Sequence, residues 1–297
     1  VSLIIRVESF AILAIFLYNS LCMTKTQTSN RIDKLRQTID DYRYQYHVLD
    51  KLEISDAALD SLKHELYQLE QVHPDLITLD SPTQRVGGVP LEKFKKVTHA
   101  RPMLSIEDVF TREEFEKWVA RLKKLSGSPT YPPTHLSTFF CMPKIDGLAV
   151  SLVYEDNLLT SAATRGDGRV GEDVMHNVMT IESVPLKLRG LQGLRRKIEV
   201  RGEIYFPVKA FEKMNRELEK KGEAVFANPR NTAAGSIRQL DPAVTASRGL
   251  AFVAWDLDAD FGQTTIEEEW ELMREMGFKP APDSVLLHSI EETEKHW

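Results

Sequence analysis

Leu148-Ala-Val-Ser-Leu-Val-Tyr154, Glu155-Asp-Asn157 and Leu158-Leu-Thr-Ser-Ala-Ala163 decide the fold class. Two short β-type runs joined by three turn-prone residues read as a hairpin, so strand pairing here is antiparallel. Working outward, Phe139–Met142 upstream and Ile198–Phe206 and Leu250–Asp256 downstream carry the same strand texture. Helical segments at 208–221, 232–240 and 265–276 are interleaved with them. Hairpins mixed with helices predict an antiparallel α+β domain. Residues Ser126–Thr138, with three prolines, read as a surface loop.

The chain before that domain has a different period. From Asn30, taken as an N-cap, Ile32, Leu35, Ile39, Tyr42 and Tyr46 recur every three or four residues. A second helix follows Ser55, carries Leu59, Leu62, Leu66 and Leu69, and ends before Pro74; the two predict a helical hairpin. Residues 81–102 read as a linker. Further upstream, residues 10–18 are apolar, but Arg6 and Glu8 interrupt the stretch, which falls short of the ~20 residues a membrane span needs. With no basic n-region and no small-x-small site, a signal peptide is not supported either. The reading adopted is an apolar leader at 1–23 that is not native, a helical domain at 24–95 and an α+β domain at 96–297.

Composition narrows the function. The 297 residues are 42% hydrophobic and 28% charged, which excludes collagen-like and wholly disordered chains. A net charge of −6 argues against a stand-alone electrostatic nucleic-acid binder. Two cysteines, Cys22 and Cys141, make neither a four-ligand zinc site nor a disulfide framework, so a reducing, cytoplasmic setting is expected. No membrane partner and no metal-ligand cluster are expected.

Chemistry gathers at Lys144-Ile-Asp-Gly147, between two strands. An unperturbed lysine amine, with a pKa of about 10.4, is almost wholly protonated at neutral pH. A nucleophilic lysine therefore needs surroundings that favour its neutral form. K-x-D-G alone also fits a surface ion pair. Downstream follow Ser161-Ala-Ala-Thr-Arg-Gly-Asp-Gly168, Glu199-Val-Arg-Gly-Glu-Ile204 and Phe226-Ala-Asn-Pro-Arg-Asn-Thr-Ala-Ala-Gly-Ser-Ile-Arg-Gln-Leu-Asp241. Upstream lie Tyr46-His-Val-Leu-Asp50, Asp80-Ser-Pro-Thr-Gln-Arg-Val-Gly87 and Pro102-Met-Leu-Ser-Ile106. In order and spacing these segments, from about residue 30 to the end, resemble the NAD-dependent bacterial DNA ligases.

The resemblance implies a helical domain that binds nicotinamide mononucleotide, followed by a nucleotidyltransferase (adenylation) domain. Lys144 would take AMP from NAD as a phosphoramidate. Arg165, in a glycine-flanked loop, would meet phosphate or ribose; Glu203 would accept hydrogen bonds from ribose hydroxyls; Trp255 would stack on adenine. Ser105, Ile106 and Asp146 complete the implied nucleotide set. Arg230 and Arg238, eight residues apart and about 80° around a helix, would both face the nick phosphate. In the helical domain Tyr46, His47, Asp56, Ala57, Ala58, Leu59 and Asp60 match the nicotinamide-binding positions. Asp56 and Asp60, at i and i+4, share a face suited to a cationic ring.

Three departures stand out. Leu59 replaces a usual tyrosine, and Met142 replaces a usual glutamate that reads the adenine amino group. The sequence also stops at Trp297, ahead of the remaining adenylation motifs, the oligonucleotide-binding fold, the zinc module and the helix-hairpin-helix domain. The expectation is thus an N-terminal fragment with its adenylation domain truncated. Implied partners are NAD, Mg²⁺ with no identifiable ligands, and nicked double-stranded DNA met mainly through the missing domains. Two alternatives stay open: an ATP-dependent nucleotidyltransferase and a catalytically silent nucleotide-binding module.

Overall fold

The computed structural model describes residues 24–51, 54–86, 92–125, 138–191 and 196–296. The leader at 1–23 and almost all of the proline-bearing loop at 126–138 lie outside them. Two compact units emerge, divided between Gly87 and Gly88.

The first unit is a pair of helices, α1 (Lys25–His47) and α2 (Asp56–Val72). α1 begins earlier than the expected Asn30. Thr24 caps it, and Gln27 completes a reciprocal capping box that satisfies two orphan donors. Asn30 lies inside the helix. Ser55 caps α2 as the sequence suggested. Ile32, Leu35, Ile39, Leu66 and Leu69 form the buried seam, with Leu59 and Leu62 packed against it. The seam leaves the expected line after Ile39: Arg43 is buried on the next turn, whereas Tyr46 is 51% exposed. Buried Glu70 gathers the tail of the unit, accepting from Arg36 (2.6 Å), Ser81 (2.7 Å) and Thr83. Part of the expected linker is thereby ordered, as a 3₁₀ turn at Pro82–Val86.

The second unit is built on a four-stranded antiparallel sheet in the order β4-β3-β6-β7, namely Leu158–Thr164, Leu148–Glu155, Lys197–Tyr205 and Ala251–Asp258. β3 and β4 turn through Asp156 and Asn157, both at positive φ (51° and 69°), a two-residue hairpin that matches the strand twist. Short strands β1 (Lys96–Thr98) and β5 (Val170–Glu172) pair with each other, as do β2 (Phe139–Cys141) and β8 (Val285–Leu287). Phe94 packs on the core and the Lys95 carbonyl accepts from Asp173, so residues 94 and 95 go with this unit and not, as the 95/96 division implied, with the helices.

Side-chain alternation gives the sheet two unlike faces. Val150, Leu152, Tyr154, Ile198, Val200 and Ile204 enter the main core; full burial of each such aliphatic side chain contributes about 1.5–3 kcal/mol. The helices from Met175 to Glu275 are α4 (Met175–Val178), α5 (Val208–Lys220), α6 (Pro229–Ile237), α7 (Pro242–Ala246) and α8 (Ile266–Glu275); α6 and α8 pack here through Ala233, Ile237, Trp270 and Met273. The expected helix at 232–240 starts at Pro229, capped by Asn228, and stops at Ile237. Sequence periodicity missed α3 (Arg112–Leu125), whose described side chains are mostly exposed, and three of the three-residue strands, β1, β5 and β8, whereas β2 was anticipated at Phe139–Met142.

Candidate functional site

Lys144 is exposed on the irregular connection between β2 and β3. It is not at the edge of the central sheet, because β2 pairs with β8 elsewhere. What fixes the connection is Gly147. A Cβ there would stand 2.2 Å from the Ile204 carbonyl oxygen and 2.9 Å from Glu203 Cγ. The missing side chain lets the lysine-bearing segment lie directly on β6 beside Glu203.

Glu203 is half-buried on β6, paired in register with Ala149 and Val253. Burial pushes its carboxyl above the ordinary glutamate value, opposed by the charges of Lys144 and Arg230, a hydrogen bond from the Trp255 side chain and the charge of Arg165. One carboxylate thus has around it groups from four separate segments.

Each arrives by a local device. β6 and β7 slip register after Arg201, which faces Asp256 while Gly202 faces Ala254. Trp255 is the extra residue of that β-bulge, and a bulge re-aims a side chain. The indole is accordingly half-exposed, although it sits in an apolar run. Gly202 permits the bulge's tight packing, since a Cβ would fall 2.2 Å from the Phe252 ring. Arg165 follows β4, its amide donating to the Ala149 carbonyl (2.9 Å) and its own carbonyl accepting from Gly168 (2.9 Å). Gly166 takes φ +57° in this turn, with Val170 backbone filling the space of a side chain. Asp167 accepts from the amides of Val170 and Arg169 (both 2.8 Å), bonds that hold its carboxyl below the usual range.

Arg230, in the first turn of α6, pairs with Asp146 of the lysine loop (3.4 Å). Arg238 does not share that helix surface. It is the C-cap beyond Ile237, and it pairs with Glu172 on β5 (2.9 Å). The helical-wheel argument for the two arginines therefore fails, because α6 ends before the second. Ser105 and Ile106 are exposed in the irregular stretch after Met103, and Met142 is exposed beside Cys141.

The sequence reading took only Glu203 from Glu199-Val-Arg-Gly-Glu203. Glu199 and Arg201 are buried on the same sheet face, with Arg201 Nε donating to Glu199 (2.9 Å) and Ser151 donating to the same oxygen (2.8 Å). Asp256 lies 3.8 Å from Arg201; burial raises its carboxyl, the Arg201 charge opposes this, and Asp258 and Glu199 add to the rise. Strand alternation at 199, 201 and 203 was the available signal.

In the helical unit, Tyr46 and His47 end α1 with their rings edge-to-face at 4.8 Å. Ala57, Ala58 and Asp60 are exposed on the first turns of α2, which starts at Asp56. Leu59 instead packs on the helical core, so its aliphatic side chain has a structural role there. Among the described residues no group of three or more His, Cys, Asp and Glu side chains is arranged to hold a metal ion. Nor is any helix among them long and apolar enough to cross a membrane.

Two exposed guanidiniums and an amine around a carboxylate, with an indole at the rim, suit a phosphate, a hydroxyl pair and a planar base. Residues 91–297 match the family model of the NAD-dependent DNA ligase adenylation domain, and residues 25–87 match that of the DNA ligase-like, N-terminal NAD⁺-binding domain. The chain is 46% identical over 267 residues to a DNA ligase of Thermomicrobium roseum, covering 88% of this chain and 38% of that protein. It is 47% identical over 244 residues to a DNA ligase of Geobacter metallireducens, covering 81% of this chain and 36% of that protein. The chain thus spans little more than a third of the length of these relatives.

Proposed function

Because the chain belongs to the NAD-dependent DNA ligase family, we propose that its second unit transfers adenylate from NAD to Lys144, and that in the whole protein AMP then passes to the 5′-phosphate of a DNA nick, which is sealed. The carrying observation is the seat of the Lys144 loop on β6 beside Glu203 through Gly147, with Arg230 paired to Asp146 of that loop and the charges of Lys144, Arg230 and Arg165 acting on the Glu203 carboxyl. The neutral Lys144 amine attacks the α-phosphorus, the bond to the departing nicotinamide mononucleotide breaks, and the surplus proton leaves the nitrogen for solvent. Arg165 and Arg230 offset the phosphate charge, Glu203 accepts from ribose hydroxyls, and Trp255 stacks on the base.

The helical unit serves the nicotinamide half through Tyr46, His47, Asp56, Ala57, Ala58 and Asp60, which favours NAD over ATP because ATP offers no nicotinamide. Arg238 serves the nick phosphate after leaving Glu172. Mg²⁺ would supply charge neutralisation at the phosphates. Activity on DNA and the sparse cysteines fit a cytoplasmic protein.

Incubating the chain with NAD or ATP labelled in adenine tests the reading. Covalent label from NAD alone is expected. Label from ATP would favour the ATP-dependent alternative, and no label from either would favour a silent nucleotide-binding module.

A further inference from the structure

We propose that Arg201 is a positioning residue whose guanidinium holds the segment 101–106, and with it Ser105 and Ile106, at the nucleotide site. Residues 102–110 form no regular element, so only specific contacts can order their course. Arg201 supplies two: Nη2 donates to the Arg101 carbonyl (3.0 Å) and Nη1 to that of Pro102 (3.4 Å). Its third donor, Nε, is fixed by Glu199, which Ser151 orients in turn. The next residues are tied by Arg101 pairing with Asp258 (2.6 Å) and by the Met103 amide donating to Gly168 (2.8 Å) in the Arg165 turn. Beyond buried Met103 the chain is free of the core, and Leu104 and Ile106 are 82% and 71% exposed.

Arg201 is therefore the link between three parts. It shares a strand and a face with Glu203, it approaches Asp256 next to the bulged Trp255, and it grips the main chain that leads to Ser105. An apolar side chain could cover this face without desolvating a guanidinium. It could not donate to two successive carbonyls of an irregular segment, which needs the planar fork; a lysine offers one point charge in its place.

That Ser105 and Ile106 meet the nucleotide rests on the function proposed above, whereas the hold of Arg201 on the strap does not. Amide hydrogen exchange on the chain and on Arg201→Lys reads the second directly. Losing one of the two carbonyl hydrogen bonds should speed exchange at the Met103 amide about tenfold, while β3 and β6 keep their protection. With the same proteins, the NAD concentration for half-maximal adenylylation should rise by about the same factor, and the rate at saturating NAD should hold.

Should Arg201→Lys not fold, Glu199→Gln carries the same two readings, because a neutral amide oxygen holds Nε more weakly than a carboxylate and loosens the fork. Unchanged exchange at Met103 would overturn the proposal, as would protection lost throughout the sheet, or a loosened strap with unchanged half-saturation. An unsubstituted chain that takes up no adenylate would instead overturn the proposed function, and the exchange comparison would still decide the hold of Arg201 on the strap.

Discussion

Replacing Gly147 by alanine would displace Lys144, the proposed nucleophile, without touching it. The new Cβ would lie 2.2 Å from the Ile204 carbonyl oxygen, where a close C···O contact needs about 3.3 Å. The neighbour is β6 backbone, central in the sheet, so the lysine loop must move, by about 1 Å. A displacement of about 1 Å at a reacting group costs on the order of 10²-fold in rate. Overpacking of this kind costs about 1–3 kcal/mol, and at about 2–4 °C per kcal/mol for a unit this size the melting temperature should fall by several degrees. The assay pairs the rate of the AMP mass increment with NAD, by intact mass spectrometry, with a calorimetric melting temperature. Wild-type rate and unchanged melting would refute the close approach of the loop to β6. A large loss of stability with wild-type rate in the folded fraction would refute the link between Gly147 and Lys144.

Gly235→Ala is the matching control: it lies on an exposed turn of α6 with nothing within 4 Å of its would-be Cβ, so it should gain about 0.5–1 kcal/mol in a denaturant titration. Glu203→Gln should change the pH dependence of stability. The folded carboxyl titrates above its unfolded value, so the native chain binds more protons between the two values and its stability falls as pH rises through that window. The glutamine variant should therefore melt higher than wild type at neutral pH, relative to the difference at acid pH below both values; a difference independent of pH would contradict the assignment. Met142 lacks the carboxylate that would read an adenine amino group, a charge-assisted hydrogen bond worth about 1.5–3 kcal/mol, or tenfold to 150-fold. Titrations with adenine and hypoxanthine dinucleotides should show little discrimination by wild type and a preference for adenine in Met142→Glu; strong adenine preference in both would mean that another group reads the base.

The fold was legible where a pattern is local and strong. The β3–β4 hairpin showed in two β-rich runs around Asp156 and Asn157, and α2 showed in its leucine spacing and Ser55 cap. α1 was placed late because Lys25–Ser29 is polar, and its start depends on the reciprocal Thr24–Gln27 bonds, not on apolar period. β1, β5 and β8 are three residues each and exist only through their partners, so no single stretch announces them. At the candidate site, Lys144, Arg165 and Glu203 were proposed from ordered motifs and Trp255 from the family resemblance, but the bulge that turns Trp255 outward is a property of two strands together. Arg201 was passed over because a charged residue in a strand reads as solvated until its two carbonyl partners, about a hundred residues away, are known.

Peptide mapping of the chain after incubation with NAD tests the central claim most directly. The account predicts one AMP increment, on the peptide containing Lys144, absent from Lys144→Ala and also from Lys144→Arg, whose guanidinium stays protonated. An increment on another residue, or one that persists in Lys144→Ala, would contradict it.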